Sequence, residues 1–370
     1  MPARAIRQAP LAALLASGLA TLAFAAGATP TARATTMRTL VIAGAGDGHG
    51  VGMSQDGAYG YAQHGYSSRA ILAHYYTGTT IGQAPAGALV RVSIGATVRR
   101  IPLERYVRGV VAAEVPSAWP LAALEAQAIA SRTYALTAHA GGSRFDVYAD
   151  ARSQVYRGAA AETAQTNAAV ALTAGQIVTY AGAPAITYFF ADSGGMTEDV
   201  QNAWPGSEPQ PWLRGVPDPY DSGAQSRWTL DMSFAAAAAR LRGLVRGSFR
   251  GVEVLERGHS PRILTAAIVG SAGTTRVSGA ELAQRLGLQD TWAYFSVRSG
   301  HGPAKPEPEH GAPPPTASPS KTMFAPAGPQ GGAQAPAGAQ GGTQIPAGVQ
   351  GGAQAPAEPR PASAGGTSAG

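Results

Sequence analysis

The chain has 370 residues, no cysteine and a formal charge of +6, from 28 Lys and Arg against 22 Asp and Glu. The absence of cysteine removes disulfides, thiol nucleophiles and Cys-based zinc sites. The basic excess comes without a Lys/Arg run or a zinc-finger spacing, which argues against nucleic acid as a partner. An anionic polymer suits such a charge, and so does a plain solubility effect.

Arg4 and Arg7 precede an uncharged apolar run from Leu11 to Ala25, and Ala23-Phe24-Ala25 supplies an A-x-A cleavage pattern. Residues 1–34 therefore read as a secretory signal peptide, cut near 25 or near 34, where Thr31-Ala32-Arg33-Ala34 again ends in a small residue. The run is short for a membrane span of about 20 residues, so no span is expected after cleavage and the mature chain is expected to be secreted. Next comes a short apolar strand from Leu40 to Ala43, then a glycine-rich segment from Gly46 to Ala58. Ser54 is placed to cap a helix beginning near Gln55, and a second helix from Ser67 to Tyr76 has Gly78 as its natural stop.

Leu89–Ile94 reads as a strand and Leu103–Ala113 as a helix. Pro120–Ala138 reads as a helix too, with a proline at its start and Leu121, Leu124, Ala128 and Leu136 near helical spacing. Gln176–Tyr180, Ala185–Phe190, Val252–Glu256 and Arg262–Val269 read as strands, and Ala235–Arg246 as a helix. Ser278 with Glu281 three residues on has the capping-box spacing. Together these predict one α+β domain over 36–298 with a mostly antiparallel sheet. From 301 to 370 the chain is dominated by Pro, Gly, Ala and Gln, with a ten-residue unit beginning at Ala325, Ala335 and Ile345. Such a segment has too little apolar surface to offset its chain entropy and reads as a disordered tail.

Two segments carry the chemistry. In Gly46-Asp47-Gly48-His49-Gly50-Val51-Gly52 the glycines allow tight turns and close approach to a ligand, yet neither a Gly-Lys-Ser/Thr nor a βαβ context makes it a phosphate loop. His49 could contact substrate or move a proton. In the second segment Glu114 closes an apolar helical stretch two residues before Pro116, where the helix must end. A carboxylate at a helix C-terminus among apolar neighbours has its pKa raised, the condition a general acid needs; an exposed loop glutamate is the alternative.

Both segments resemble the stage II sporulation protein D family (the SpoIID/LytB domain). The likeness runs from Gly48-His49-Gly50-Val51-Gly52-Met53-Ser54-Gln55 through Tyr106 to Pro116 and Ala123 to Ala135. It continues in Gln154-Val155-Tyr156-Arg157-Gly158, Ser193-Gly194-Gly195-Met196-Thr197-Glu198 and Leu286-Gly287-Leu288. In typical members the Gly-His-Gly loop comes last, whereas here it comes first, so the resemblance implies a circularly permuted domain. It also implies a cell-wall protein acting on peptidoglycan glycan strands, with Glu114 on the catalytic glutamate of members that are lytic transglycosylases. Other members enhance a cell-wall amidase without being enzymes, and that alternative stands beside the first. Some members bind zinc before Gln154; with Asp150 and Ser153 there and no Cys, no metal or other cofactor is expected.

The resemblance assigns His49, Ser54, Gln55, Gln127, Arg132, Tyr134, Gln154, Tyr156 and Ser193 to substrate binding. Gln127 and Tyr134, seven apart, share a helix face and suit a sugar's polar groups and ring. Tyr134 could equally be core, and Arg132 could equally pair with a carboxylate. Glu198 or Asp199 would supply a second carboxylate were the reaction hydrolysis. Trp119, Trp204 and Trp212 could stack on sugars or anchor loops.

Overall fold

A computed structural model describes residues 36–301 apart from 222, 224 and 225. The signal peptide assigned to 1–34 and the tail assigned to 301–370 lie outside the described residues, except for His301. In chain order the elements begin β1 (Thr36–Gly44), β2 (Met53–Ser54), α1 (Gln55–Gln63), α2 (Ser68–Tyr75), β3 (Thr80–Gln83), β4 (Leu89–Ile94) and β5 (Thr97–Pro102). Then come α3 (Leu103–Glu114), α4 (Leu121–Thr137), β6 (Val147–Tyr148), α5 (Ala164–Leu172), β7 (Gln176–Tyr180), β8 (Ala183–Pro184), β9 (Phe189–Phe190) and α6 (Val200–Ala203). The last are β10 (Trp228–Ser233), α7 (Phe234–Arg240), β11 (Phe249–Arg257), β12 (Ile263–Gly270), β13 (Gly273–Ser278), α8 (Gly279–Leu286) and β14 (Ala293–His301).

The fold is α+β with mostly antiparallel sheets; the β2–β9 and β4–β6 pairs are parallel. Its buried apolar side chains form two clusters. The larger surrounds α4, which packs against α1, α2, α3, α5 and β7. The smaller lies among β1, β10 to β14, α7 and α8. Strand β1 runs antiparallel to β14 from Thr36↔His301 to Gly44↔Ala293, so the two ends of the described chain are hydrogen-bonded neighbours. Adjacent ends are the geometry that a reordered chain requires.

Ser54, Ser67 and Ser278 cap α1, α2 and α8 through their hydroxyls. At α8 only half of the expected box forms: the Glu281 N–H donates to Ser278 Oγ at 3.1 Å, while the Glu281 carboxylate takes Arg285 as its partner. Two expected elements differ more. The helix read over Ala235–Arg246 ends at Arg240, because its alanine-rich stretch gives way to a turn at Gly243 (φ +86°). The strand read over Ala185–Phe190 pairs only at Phe189 and Phe190, although the preceding residues keep alternate burial.

Candidate functional site

Helix α3 ends on Glu114 because Val115 turns to an extended backbone (φ −133°) ahead of Pro116. The residue is 4% exposed. Its Oε2 accepts from Gln55 Nε2 at 3.3 Å, and its Oε1 accepts from the Val155 backbone N–H at 2.5 Å. Burial pushes the Glu114 carboxyl up to about 8, against the opposing pull of those two donors. The donors come from distant parts of the chain. Gln55 opens α1 within the glycine-rich segment, and Val155 sits in the loop before the short 3-10 turn at Gly158–Ala160.

That loop reaches Glu114 because α3 has a glycine where it crosses. A Cβ at Gly109 would lie 2.6 Å from the Tyr156 ring and 2.8 Å from Gly158 Cα. Tyr156 stacks on Tyr106 at 5.1 Å and the Arg157 N–H donates to Gly109 O, which closes the loop on the helix.

Helix α4 contributes the other wall. Gln55 Nε2 also donates to Gln127 Oε1 at 3.4 Å, Gln127 Nε2 donates to Ser131 Oγ at 3.0 Å, and Gln154 Nε2 donates to Ser131 O at 3.2 Å. Gln127, Ser131 and Tyr134 recur at four and three residues, so they share the face turned towards Glu114. Tyr134 is fully buried and within electrostatic reach of Glu114, and burial raises its phenol well above its ordinary value. The structure therefore brings Gln55, Gln127, Tyr134 and Gln154 together around Glu114. Ser131 and the Val155 N–H were not read from the sequence. Ser131 had a signal, its four-residue spacing from Gln127; a backbone donor has none.

Four other expected site residues have different tasks here. Arg132 is fully buried, and its five N–H groups all have partners: Glu104 twice, Ala128 O, Val170 O and Gln176 O. It pairs with a carboxylate, the alternative reading, and has no donor left for a sugar. Ser54 caps α1 and donates to Asp221 Oδ2 at 2.8 Å. Ser193 donates to Asp218 Oδ2 at 2.9 Å, and Tyr156 serves as the clamp described above. Glu198 accepts from Asp199 N, Asn202 Nδ2, His259 N and both donors of Ser260, so its carboxylate is engaged in anchoring its own surroundings. Asp199 is likewise held by Arg214 and His259.

His49 lies among aromatic rings. Its centroid is 4.9 Å from Trp204, 5.3 Å from Phe190 and 6.2 Å from Tyr188, and its Nδ1 accepts from the Val51 N–H. Tyr188 in turn meets Tyr134 at 5.9 Å, so a row of rings leads from His49 towards the Glu114 pocket. Gly52 makes this crossing feasible: its backbone is left-handed (φ +78°), and a Cβ there would lie 2.1 Å from Tyr188 O.

A second polar centre contains Asp56, Asp192, Asp218 and Asp221. Burial, then Asp192, Asp221 and Asp47, push the Asp56 carboxyl up to about 7. Burial and Asp221 raise Asp218 to about 7 and Asp192 to about 6. A raised folded-state pKa contributes stability that is fully present below the unfolded value of 3.8 and is lost as pH rises through about 7. Asp56→Asn should therefore stabilise the chain at pH 8, by on the order of 1 kcal/mol after solvent screening, and by progressively less on acidification to pH 5. Thermal melts at the two pH values check this; an equal or inverted effect would contradict the charge crowding.

Residues 94–180, which run from β4 to β7 and include Glu114, match the family described as stage II sporulation protein, SpoIID. Stage II sporulation protein D of Bacillus amyloliquefaciens is 30% identical over 230 residues, covering 57% of this chain and 64% of that protein. Residues 94–180 thus match the SpoIID domain, and the chain is similar to stage II sporulation protein D.

The Bacillus subtilis stage II sporulation protein D is 28% identical over 228 residues, covering 56% of this chain and 64% of its own length. The amidase enhancer of Bacillus subtilis is 37% identical over 127 residues, 34% of this chain and 17% of that protein. The chain thus spans about 64% of the length of the sporulation relatives it matches. The family match holds Glu114, Gln127, Tyr134, Gln154 and Tyr156 but not the glycine-rich segment. Gln55 ties that segment to the family's part of the chain. Before Gln154, Asp150 is engaged by Arg152 at 2.7 Å, and the buried Ser153 Oγ accepts from Tyr148 N–H. No helix among the described residues is long and apolar enough to cross a membrane.

Proposed function

We propose that this chain is a cell-wall protein, acting outside the cytoplasm on peptidoglycan glycan strands as a lytic transglycosylase with Glu114 as its acid and base. The observation that carries the reading is the state of Glu114: buried, raised to about 8, and held at both oxygens by donors from outside its own helix. At neutral pH such a group is a protonated acid, and the Gln55 amide and Val155 N–H stand ready to stabilise its anion.

Glu114 gives its proton to the oxygen linking N-acetylmuramic acid to N-acetylglucosamine. The C1–O bond breaks and the N-acetylglucosamine side leaves as an alcohol. The carboxylate then takes the proton of the muramoyl C6 hydroxyl as its oxygen bonds to C1. Glu114 ends protonated, the product carries a 1,6-anhydro end, and no water is consumed. Both proton transfers pass through one residue, so the reaction calls for neither a second carboxylate nor a metal. This accords with the structural employment of Glu198 and Asp199. Mass spectrometry of glycan strands digested by the purified chain tests the proposal: anhydro-muramoyl ends are expected, and reducing ends or intact strands would overturn it.

The likeness to an amidase enhancer favours a second reading, in which the same site binds the wall and stimulates a separate amidase. That reading predicts that Glu114→Gln stimulates the amidase as well as the parent does, with no anhydro ends from either.

A further inference from the structure

Residues 185–188 run between β8 and β9 with alternate burial: Ala185 and Thr187 face inwards, while Ile186 and Tyr188 are half-exposed. Tyr188 belongs to the aromatic row that leads to Tyr134 and Glu114. Ile186, two residues back on the same side, lines a shallow cavity of about 460 Å³ with Leu136, Thr137, His139, Gln210 and Trp212. That volume lies within the range of small-ligand sites.

The cavity is built around a fixed indole. Trp212 Nε1 donates to Ile186 O at 2.9 Å, and Tyr180 packs against the ring at 5.0 Å, which sets the orientation of its plane. Helix α4 ends beside it, and His139 follows in a left-handed backbone (φ +44°), a conformation that costs a non-glycine residue on the order of 1 kcal/mol. The turn carries the exposed imidazole to the rim, 3.7 Å from Asp146. Thr137 Oγ1 donates to Thr133 O and keeps lone pairs to accept, while the Gln210 amide offers both a donor and an acceptor. No carboxylate, lysine or arginine lines the cavity.

An oriented indole face with neutral amide and hydroxyl groups at its edge matches a ligand that is flat and apolar on one side and polar around its rim. A sugar ring has that form. A peptide with charged termini would find no ion-pair partner in the lining. We propose that the Trp212 cavity is a binding subsite for one neutral N-acetylated sugar of a glycan chain, whose neighbouring units lie along the row towards Glu114. The choice of ligand rests on the glycan reading above; the geometry does not.

The experiment uses the full chain carrying Glu114→Gln, so that no oligosaccharide is consumed, with penta-N-acetylchitopentaose as probe. Two-dimensional NMR resolves the indole N–H signals of the five tryptophans, and the Trp212 signal is assigned by its loss in Trp212→Phe. That signal should shift saturably with added probe. Trp212→Ala should weaken binding about fivefold to tenfold, the worth of one lost aromatic contact, and Trp212→Phe should restore most of it. If Trp212→Ala does not fold, Gln210→Leu at the rim is measured instead and should also weaken binding. An unmoved Trp212 signal, unchanged affinity in the variants, or no binding at all overturns the subsite. The two proposals fail separately. Anhydro ends from the unsubstituted chain with an unmoved Trp212 signal sink the subsite alone, whereas a shifted signal without anhydro ends sinks the transglycosylase alone.

Discussion

Glu114→Gln is expected to lower formation of anhydro-muramoyl ends by roughly 10²–10⁴-fold, the contribution of a positioned acid and base. Gln keeps the shape and can still accept from the Val155 N–H, but it has no proton to give. The same substitution should leave the fold intact and improve it in alkali. The parent carboxyl is raised from 4.5 to about 8 by burial. Its contribution to stability is fully present below about pH 4.5 and is lost as pH rises through about 8, where an anion must be held inside the protein. Glutamine carries no such cost, so the variant should hold its melting temperature above pH 8 while the parent declines. Continued production of anhydro ends by well-folded Glu114→Gln protein would remove Glu114 from the mechanism. A parallel decline in alkali would mean that the carboxyl is not buried in the way described.

Glu114 was legible because two local rules conflict at it: the helix must stop before Pro116, and a helix end disfavours a negative charge. Its partners were legible only as segments. Gln55 and Glu114 are 59 residues apart, and nothing in spacing or periodicity brings them together. Helix α4 shows why faces were harder to read than elements. Almost every residue from Ala123 to Ala135 is buried, so apolar periodicity does not separate the side that meets Glu114 from the side that carries Arg132. Arg132 and Gln127 both look like polar residues on a helix, and only packing shows that one faces the pocket and the other faces Glu104. The strand read over Ala185–Phe190 narrows to Phe189–Phe190, because the residues before it keep alternate burial with only scattered backbone hydrogen bonds, from Ala185 N–H to Val178 O and from Met53 N–H to Tyr188 O.

The larger effect on stability is expected at Arg262, on which the sequence offered nothing beyond the start of a strand. Arg262→Leu should destabilise the chain by about 3–5 kcal/mol, because removing one partner of a buried ion pair strands the other. Arg262 and Asp290 are both almost completely buried, with Nη2 and Oδ2 at 2.7 Å. The remaining guanidinium donors go to Met196 O at 2.7 Å, Ser193 O at 3.1 Å and Ser260 Oγ at 3.3 Å. Burial already pushes the Asp290 carboxyl up against the pull of this arginine, so without Arg262 it would be driven towards its neutral form. The fall in melting temperature should be roughly 6–20 °C. Replacing both residues by leucine should recover much of it, since a buried pair exchanged for apolar side chains often costs little. The consequence reaches the site, because Arg262 holds the 193–196 turn and the preceding Asp192 carbonyl accepts from the Asp47 N–H at 2.8 Å, fixing the start of the glycine-rich segment. Glycan cleavage by Arg262→Leu should therefore fall even below its melting temperature, where a purely global destabilisation would leave it unchanged. A single variant within about 1 kcal/mol of the parent would show that the buried pair does not stabilise the fold in this way.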